Sequence, residues 1–371
     1  MATRITGSFD PSMAVALDAR LSQLLDGAGL PSLSAALATP EGGMWTAAQG
    51  WADIDGGVRA TPGAMYRTGS MAKPITAVAM MRLAARGALQ LDAPLGQGIA
   101  GLPAASQAIT PRQLASHTAG IRHYTLVEAI SSVVRAPVHY PSVQDGLSVF
   151  IRDPLLFKPG AGFTYSTYGY SLLSRQLEVA ARLPFPAVLK QEVLDPCGMT
   201  RTALDAPGPM PDRVQFYRTA NGHYKPAKRM DSSARIAGGG LVSTPGDLAK
   251  FGQCVLSDSL LSADARQTMW TVVTLPDGAP NPQNYGLGWR IDNSTRLLGP
   301  DRPTPIIHHG GQQEGGAGFL LLIPGQKLSV AVMTNSGTDE AREAVQEAAY
   351  ALVRTYTERK AREPSSAGIG P

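Results

Sequence analysis

The sequence predicts an α/β chain of the α+β kind: an antiparallel sheet flanked by helices, with a mostly helical lobe inserted between its two halves. Three observations carry this. Strand-like runs gather near both ends of the chain, helical periodicity dominates between them, and the last periodic stretch is long and apolar on one face. The expected division is an α/β lobe built from residues 1–90 and 236–362, an inserted helical lobe over 91–235, and a disordered tail over 363–371.

Asp10-Pro11-Ser12 is a helix start, and behind it Met13, Leu17, Leu21, Leu24 and Leu25 fall mostly on one face until Gly27 and Gly29. Residues 32–39 and 44–51 read as two strands joined by the turn Glu41-Gly42-Gly43. The next helix carries Ile75, Val78, Met81 and Leu83, a pattern that predicts burial on one side. A short helical stretch is expected at 113–116, and helices at 168–183, carrying Leu172, Leu173, Leu177 and Val179, and at 186–194. The stretch 202–233, rich in Pro, Gly and charge, reads as a long surface connection. Residues 285–289 are compatible with a strand. Residues 319–323 and 328–334 read as a hairpin about Pro324-Gly325, and 339–359 as a helix with Ala341, Val345, Ala348, Leu352 and Tyr356 on one face.

Composition narrows the function classes. A chain of 371 residues, 43% apolar and 17% charged, is an ordinary globular protein with room for two lobes. A net charge of +4 without a Lys/Arg run gives no nucleic-acid footprint. No apolar run approaches the roughly 18 residues of a membrane span. The first eleven residues carry Arg4 but no apolar leader core, which points to the cytoplasm, or to the periplasm or exterior if a leader has been removed. Cys197 and Cys254 form no metal-type pair and read as two reduced, buried thiols, with a single disulfide as the alternative. No internal repeat is visible.

The chemistry begins at Thr68-Gly69-Ser70-Met71-Ala72-Lys73, of the form S-x-x-K. Residues three apart share a helix face, so Lys73 is expected beside Ser70. Pro74 belongs in a first helical turn, which starts the helix at about Gly69 or Ser70. The hydroxyl and N–H of Ser70 then lie at the positive end of the helix. Alone, this spacing is common by chance. A serine hydroxyl also needs a base and an oxyanion site. The chain has no G-x-S-x-G elbow, H-E-x-x-H or Walker loop. It does have Phe163-Thr164-Tyr165-Ser166-Thr167-Tyr168-Gly169-Tyr170 after Pro159-Gly160, and His308-His309-Gly310-Gly311 before the 319–323 strand.

These three elements, in this order, resemble the motifs S-x-x-K, Y-x-N and K-T-G or H-x-G of the serine β-lactamase-related family, the group of class C β-lactamases, D-Ala-D-Ala carboxypeptidases and esterases. Supporting stretches are His117-Thr118-Ala119-Gly120-Ile121, Gly238 to Thr244, Asp247-Leu248 and Tyr285-Gly286-Leu287-Gly288-Trp289. The likeness covers residues 33–349. In detail Gly120-Ile121-Arg122-His123-Tyr124, Tyr165-Ser166-Thr167 and the run over 238–252 look most like the mitochondrial β-lactamase-like proteins, which are thought to be peptidases.

The resemblance implies a β-lactamase/transpeptidase-like fold and a serine hydrolase with neither metal nor organic cofactor. Ser70 would be acylated, Lys73 and Tyr165 would share the base work, and Tyr165 would protonate the leaving group. The oxyanion hole would be the N–H groups of Ser70 and Gln312. The third motif is placed at His309, because Gly315 then supplies the glycine expected six residues later; with His308 instead, the second N–H would be that of Gly311. Thr167, His309, Gly310 and Gly311 would meet the substrate. Thr167 stands where the family has Asn, and His309 where lactamases have a permanent ammonium. The expected substrate is therefore a small ester, amide or peptide, ahead of a β-lactam or a D-alanyl carboxypeptidase substrate. A non-catalytic binding member of the fold is the rival from another class. His117 and His308 read as structural, the tryptophans as core, and Arg122 and Tyr124 as minor candidates for lining the cleft. Oligomeric state is left open.

Overall fold

The computed structural model describes residues 1–125, 128, 138–220 and 223–362. The tail over 363–371 lies outside the described residues. Among these, a central sheet holds eight strands: β1 (Ala2–Thr6), β2 (Ser32–Ala38), β3 (Met44–Asp53), β4 (Val58–Arg59), β5 (Arg290–Ser294), β6 (Thr304–Gln313), β7 (Gly316–Ile323) and β8 (Leu328–Thr334). Their order is β1-β3-β2-β8-β7-β6-β5, with β4 on β3, and every pairing is antiparallel. The two ends of the chain meet in the middle, where β2 pairs β8 with Ala35 opposite Val332. The fold is the α+β type that the sequence predicts.

Strands β2, β7 and β8 are buried at every position, which explains their near-continuous Ala, Val and Leu content. Alternate residues serve two layers. Phe319, Leu321, Val330 and Val332 pack against helices α1 (Pro11–Ala28) and α5 (Asp339–Arg362). Leu320, Leu322, Ala331 and Met333 face the layer that holds helices α2 (Ala72–Ala85), α3 (Thr167–Ala181) and α4 (Pro245–Leu256). Asp10 caps α1 by accepting from Ser12 N and Met13 N, and Ser166 caps α3 by accepting from Gly169 N.

Five expectations change. Residues 2–6, mostly exposed and lacking an alternating pattern, form edge strand β1 by pairing with β3. Helix α2 is buried nearly all round rather than on one side, because α3, the helical stretch over 185–194 and residues 236–239 enclose it. Residues 285–289 are not a strand: Tyr285, Leu287 and Trp289 are all buried within an irregular turn, and β5 begins immediately afterwards. The connection over 202–233 is not only surface, since it buries Val214, Phe216 and Tyr217 and forms a hairpin from Tyr217–Ala220 and His223–Pro226. Finally, Cys197 and Cys254 are joined as a disulfide rather than reduced. Fifty-seven residues separate them in sequence, but tertiary packing brings their Cα atoms to 5.6 Å.

Candidate active site

Ser70 lies in a single 3₁₀ turn (Gly69–Met71) that leads directly into α2, and Pro74 falls in the first turn of that helix. Glycines make the approach of β6 possible. Gly69 has φ +50°, and a side chain there would strike Gln312 N at 2.7 Å; one at Gly311 would strike Thr68 O at 1.9 Å. The backbones at Ser70 and Gln312 are thereby brought side by side, as an oxyanion site of two N–H groups requires.

Lys73 is fully buried. Its Nζ lies 3.1 Å from Ser70 Oγ, 3.1 Å from Thr167 Oγ1 and 2.7 Å from Gly238 O. Among the described residues no carboxylate contacts it. Burial pushes its pKa well below the ordinary lysine value of 10.5, and the charges of Arg290 and Arg235 push it further down. A neutral amine has two protons and one lone pair. Donation to Gly238 O and Thr167 Oγ1 leaves the lone pair for the Ser70 hydroxyl. The Thr167 hydroxyl, expected on the substrate, is therefore engaged by the lysine, and Thr167 is itself buried.

The ring of Tyr165 lies 4.7 Å from Lys73 Nζ, and Tyr165 and Ser70 line the same cleft. Burial raises the phenol's pKa above its usual value, so it stays protonated at neutral pH. Two histidines fix the turn that carries it. His117 Nδ1 accepts from Ser166 N at 3.1 Å, and His123 Nδ1 accepts from Thr167 N at 3.1 Å. Both acceptors must be neutral to make these bonds. Burial holds the His117 pKa well below the ordinary imidazole value and lowers that of His123 to about 4, with Lys73 the next cause for each. His117 takes a left-handed φ of +65°, a strain of about 1–3 kcal/mol. The bonds from Thr164 N to its carbonyl and from Gly160 N to Thr118 O hold it there.

The opposite wall is β6. His309 is buried; because a carbonyl only accepts, its Nδ1 donates to Gly310 O at 2.7 Å and its Nε2 accepts from the Tyr285 hydroxyl at 2.9 Å. Burial, Lys73 and Arg290 keep it neutral. Its ring centroid is 6.4 Å from that of Tyr165. His308 points to the other face of the strand and pairs with Asp292 at 2.7 Å. Together Ser70, Tyr165, Arg290, His309, Gly311 and Gln312 line a cleft of about 410 Å³, which Gly310 and His308 also border. Arg122 is tied to Glu128 and Asp153 and is not among these lining residues.

The structure thus brings together all of Ser70, Lys73, Tyr165, Thr167, His309, Gly310, Gly311 and Gln312. Sequence reasoning assigned no chemistry to His123, Arg290, Arg235, Tyr285 or Gly238 O. His123, Tyr285 and Gly238 fall inside stretches that matched the family, and that was the signal available.

The family model described as Beta-lactamase matches residues 17–355. This chain belongs to the beta-lactamase family. The family resemblance read from the sequence is borne out. Among curated proteins, the chain is 25% identical to the serine beta-lactamase-like protein LACTB, mitochondrial, of Mus musculus, over 84% of this chain and 73% of that one. It is 26% identical to a D-aminopeptidase of Gluconobacter oxydans (strain 621H), over 96% of this chain and 65% of that one. Among solved structures, the D-amino acid amidase from Ochrobactrum anthropi SV3 superposes with a TM-score of 0.79, covering 94% of this chain and 99% of that one at 19% identity. That last likeness is one of fold.

Proposed function

We propose that this protein is a serine hydrolase that cleaves an ester or amide bond through an acyl-enzyme on Ser70. The observation that carries the reading is the buried Lys73, set between Ser70 Oγ and two neutral acceptors, with no carboxylate among the described residues to hold its proton. In this reading neutral Lys73 takes the Ser70 proton as Oγ attacks the substrate carbonyl. Negative charge gathers on the carbonyl oxygen, facing the N–H groups of Ser70 and Gln312. Tyr165 donates its proton to the departing amine or alkoxide, and the proton on Lys73 restores the phenol. Water then attacks the ester with the same groups in reverse order.

An amide or ester is favoured over a β-lactam because His309 is neutral and hydrogen-bonded to Tyr285, so it supplies no permanent cation at the third motif. The D-aminopeptidase relative supports amide bonds. No described helix is long and apolar enough to cross a membrane. The Cys197–Cys254 disulfide supports an oxidising compartment, against the cytoplasm suggested by the start of the sequence. Protein isolated without reductant is then expected to titrate for no free thiol.

The test is fluorophosphonate labelling followed by peptide mapping, beside turnover of p-nitrophenyl butyrate, a D-amino-acid amide and nitrocefin. The label is expected on Ser70, with none on Ser70→Ala, and nitrocefin is expected to turn over most slowly. Equal labelling of the two proteins would overturn the reading. Nitrocefin turnover far above the others would reverse the order of substrates.

A further inference from the structure

The segment that supplies Gly238 O to Lys73 has a second side. There, away from Ser70, lies a separate cleft of about 410 Å³, within the roughly 300–1,000 Å³ of small-molecule sites. Its walls are mainly apolar: Val143, Pro184, Pro186, Leu204, Pro207 and Ile236. The hydroxyl of Ser232 is closed off behind this wall, so the contact surface offered is chiefly apolar.

The charges on the wall decide what kind of molecule could fill it. Three carboxylates reach it and each already has partners. Asp231 takes His139 Nδ1 at 2.8 Å and Ser233 N at 2.7 Å; Asp205 is held by Arg67 and Arg213; Glu178 is held by Arg175 and by Phe185 N. An anion would meet these three carboxylates with only the His139 imidazole to answer it, and the paired carboxylates have no call for a cation. A neutral molecule fits.

The same segment connects this cleft to the candidate active site. Ile236 and Gly240 line the cleft, and Gly240 N bonds Ile236 O at 3.0 Å. Between them, Ala237 O accepts from Thr76 Oγ1 at 2.8 Å and Gly238 O accepts from Lys73 Nζ at 2.7 Å. The packing leaves no slack. A side chain at Gly238 would meet Thr167 Cγ2 at 2.7 Å, and one at Gly240 would meet Ile236 Cα at 2.8 Å. A molecule pressing on Ile236 and Gly240 therefore displaces the carbonyl that orients Lys73.

We propose that this cleft binds a neutral, mainly apolar small molecule, and that its occupancy alters the acylation of Ser70 through residues 236–240. The second half rests on the hydrolase reading above; the first does not.

The test titrates the full chain with naphthalenemethanol, followed by the probe's fluorescence anisotropy, with naphthalene and naphthoate as comparators. Saturable binding of the alcohol is expected, and naphthoate is expected to bind at least about tenfold more weakly. Val143→Trp, which fills the cleft, should abolish binding while Ser70 still takes the fluorophosphonate label. Leu204→Trp serves the same purpose if circular dichroism shows the first variant misfolded. The alcohol should change the labelling rate at least about twofold in the native protein and not in the filled variant. Absence of saturable binding, equal binding by the filled variants, or naphthoate binding as tightly as the alcohol would overturn the site. Binding with an unchanged labelling rate would overturn the coupling. A native protein that takes no label at Ser70 also removes the coupling, by removing the hydrolase reading, and the anisotropy titration still decides the site.

Discussion

Two positive groups lie buried close together in this chain, and they are treated in opposite ways. Arg67, three residues before Ser70, donates to Asp205 at 2.7 Å, and the same carboxylate takes Arg213 at 3.0 Å. Its guanidinium also covers the Phe216 ring at 4.0 Å and donates to Glu314 O. Lys73, three residues after Ser70, has among the described residues only a hydroxyl pair and a carbonyl, with Arg290 and Arg235 adding repulsion. In the first cluster a carboxylate offsets the desolvation of a guanidinium, a group that proteins do not deprotonate; in the second no described carboxylate does so for the amine, and the proton is what gives way. One cluster anchors the strand leading to the nucleophile; the other leaves a base beside it.

Changes on either side of this contrast should have unequal consequences. The largest is Lys73→Met, which should slow fluorophosphonate labelling of Ser70 by roughly 10³-fold or more. Removing a buried amine for an apolar side chain of similar length should leave the denaturation midpoint unchanged or raised. A labelling rate within tenfold of native would end the account of Lys73 as base.

Asp205→Asn attacks the other cluster. It strips a buried pair of its only carboxylate and should lower unfolding free energy by about 3 kcal/mol, read from urea unfolding. A loss under about 1 kcal/mol would mean that the cluster is not an anchor.

Thr167→Asp makes the second cluster resemble the first. A carboxylate in reach of Nζ should hold the lysine's proton, lower labelling near neutral pH by about tenfold, and move the rise of rate with pH upward. Rates unchanged at every pH would show that Lys73 does not need to be neutral.

The smallest effect concerns His123. Its folded pKa of about 4 lies below the ordinary 6.5, so between these values the folded protein binds fewer protons than the unfolded chain. Stability is therefore complete above about pH 6.5 and falls as the pH drops toward 4. His123→Gln, which keeps an acceptor for Thr167 N without titrating, should flatten that part of the stability curve. An unchanged slope would remove His123 from the clamp.

How much of this was legible beforehand follows from distance along the chain. The S-x-x-K spacing, Pro74 in the first helical turn, the hairpin of β7 and β8 and the periodic face of α5 are local patterns, and the structure keeps them. The hydrophobic alternation at 285–289 misled because a buried irregular turn produces the same pattern as a strand. Edge strand β1 was invisible because its pairing with β3, not its composition, makes it a strand. The Cys197–Cys254 pair and the His123 bond to Thr167 N join residues 57 and 44 apart. The environment of Lys73 was hidden for the same reason. Motif matching could put the lysine beside the serine, but only the packed chain puts Gly238 O, Thr167 and two arginines around it.

The most direct test of the central claim is the pKa of Lys73 in the native protein. It can be followed through the ¹³Cε resonance of labelled lysine and assigned by its absence in Lys73→Met. The account predicts a midpoint well below 10.5. A midpoint at or above the ordinary lysine value would contradict it.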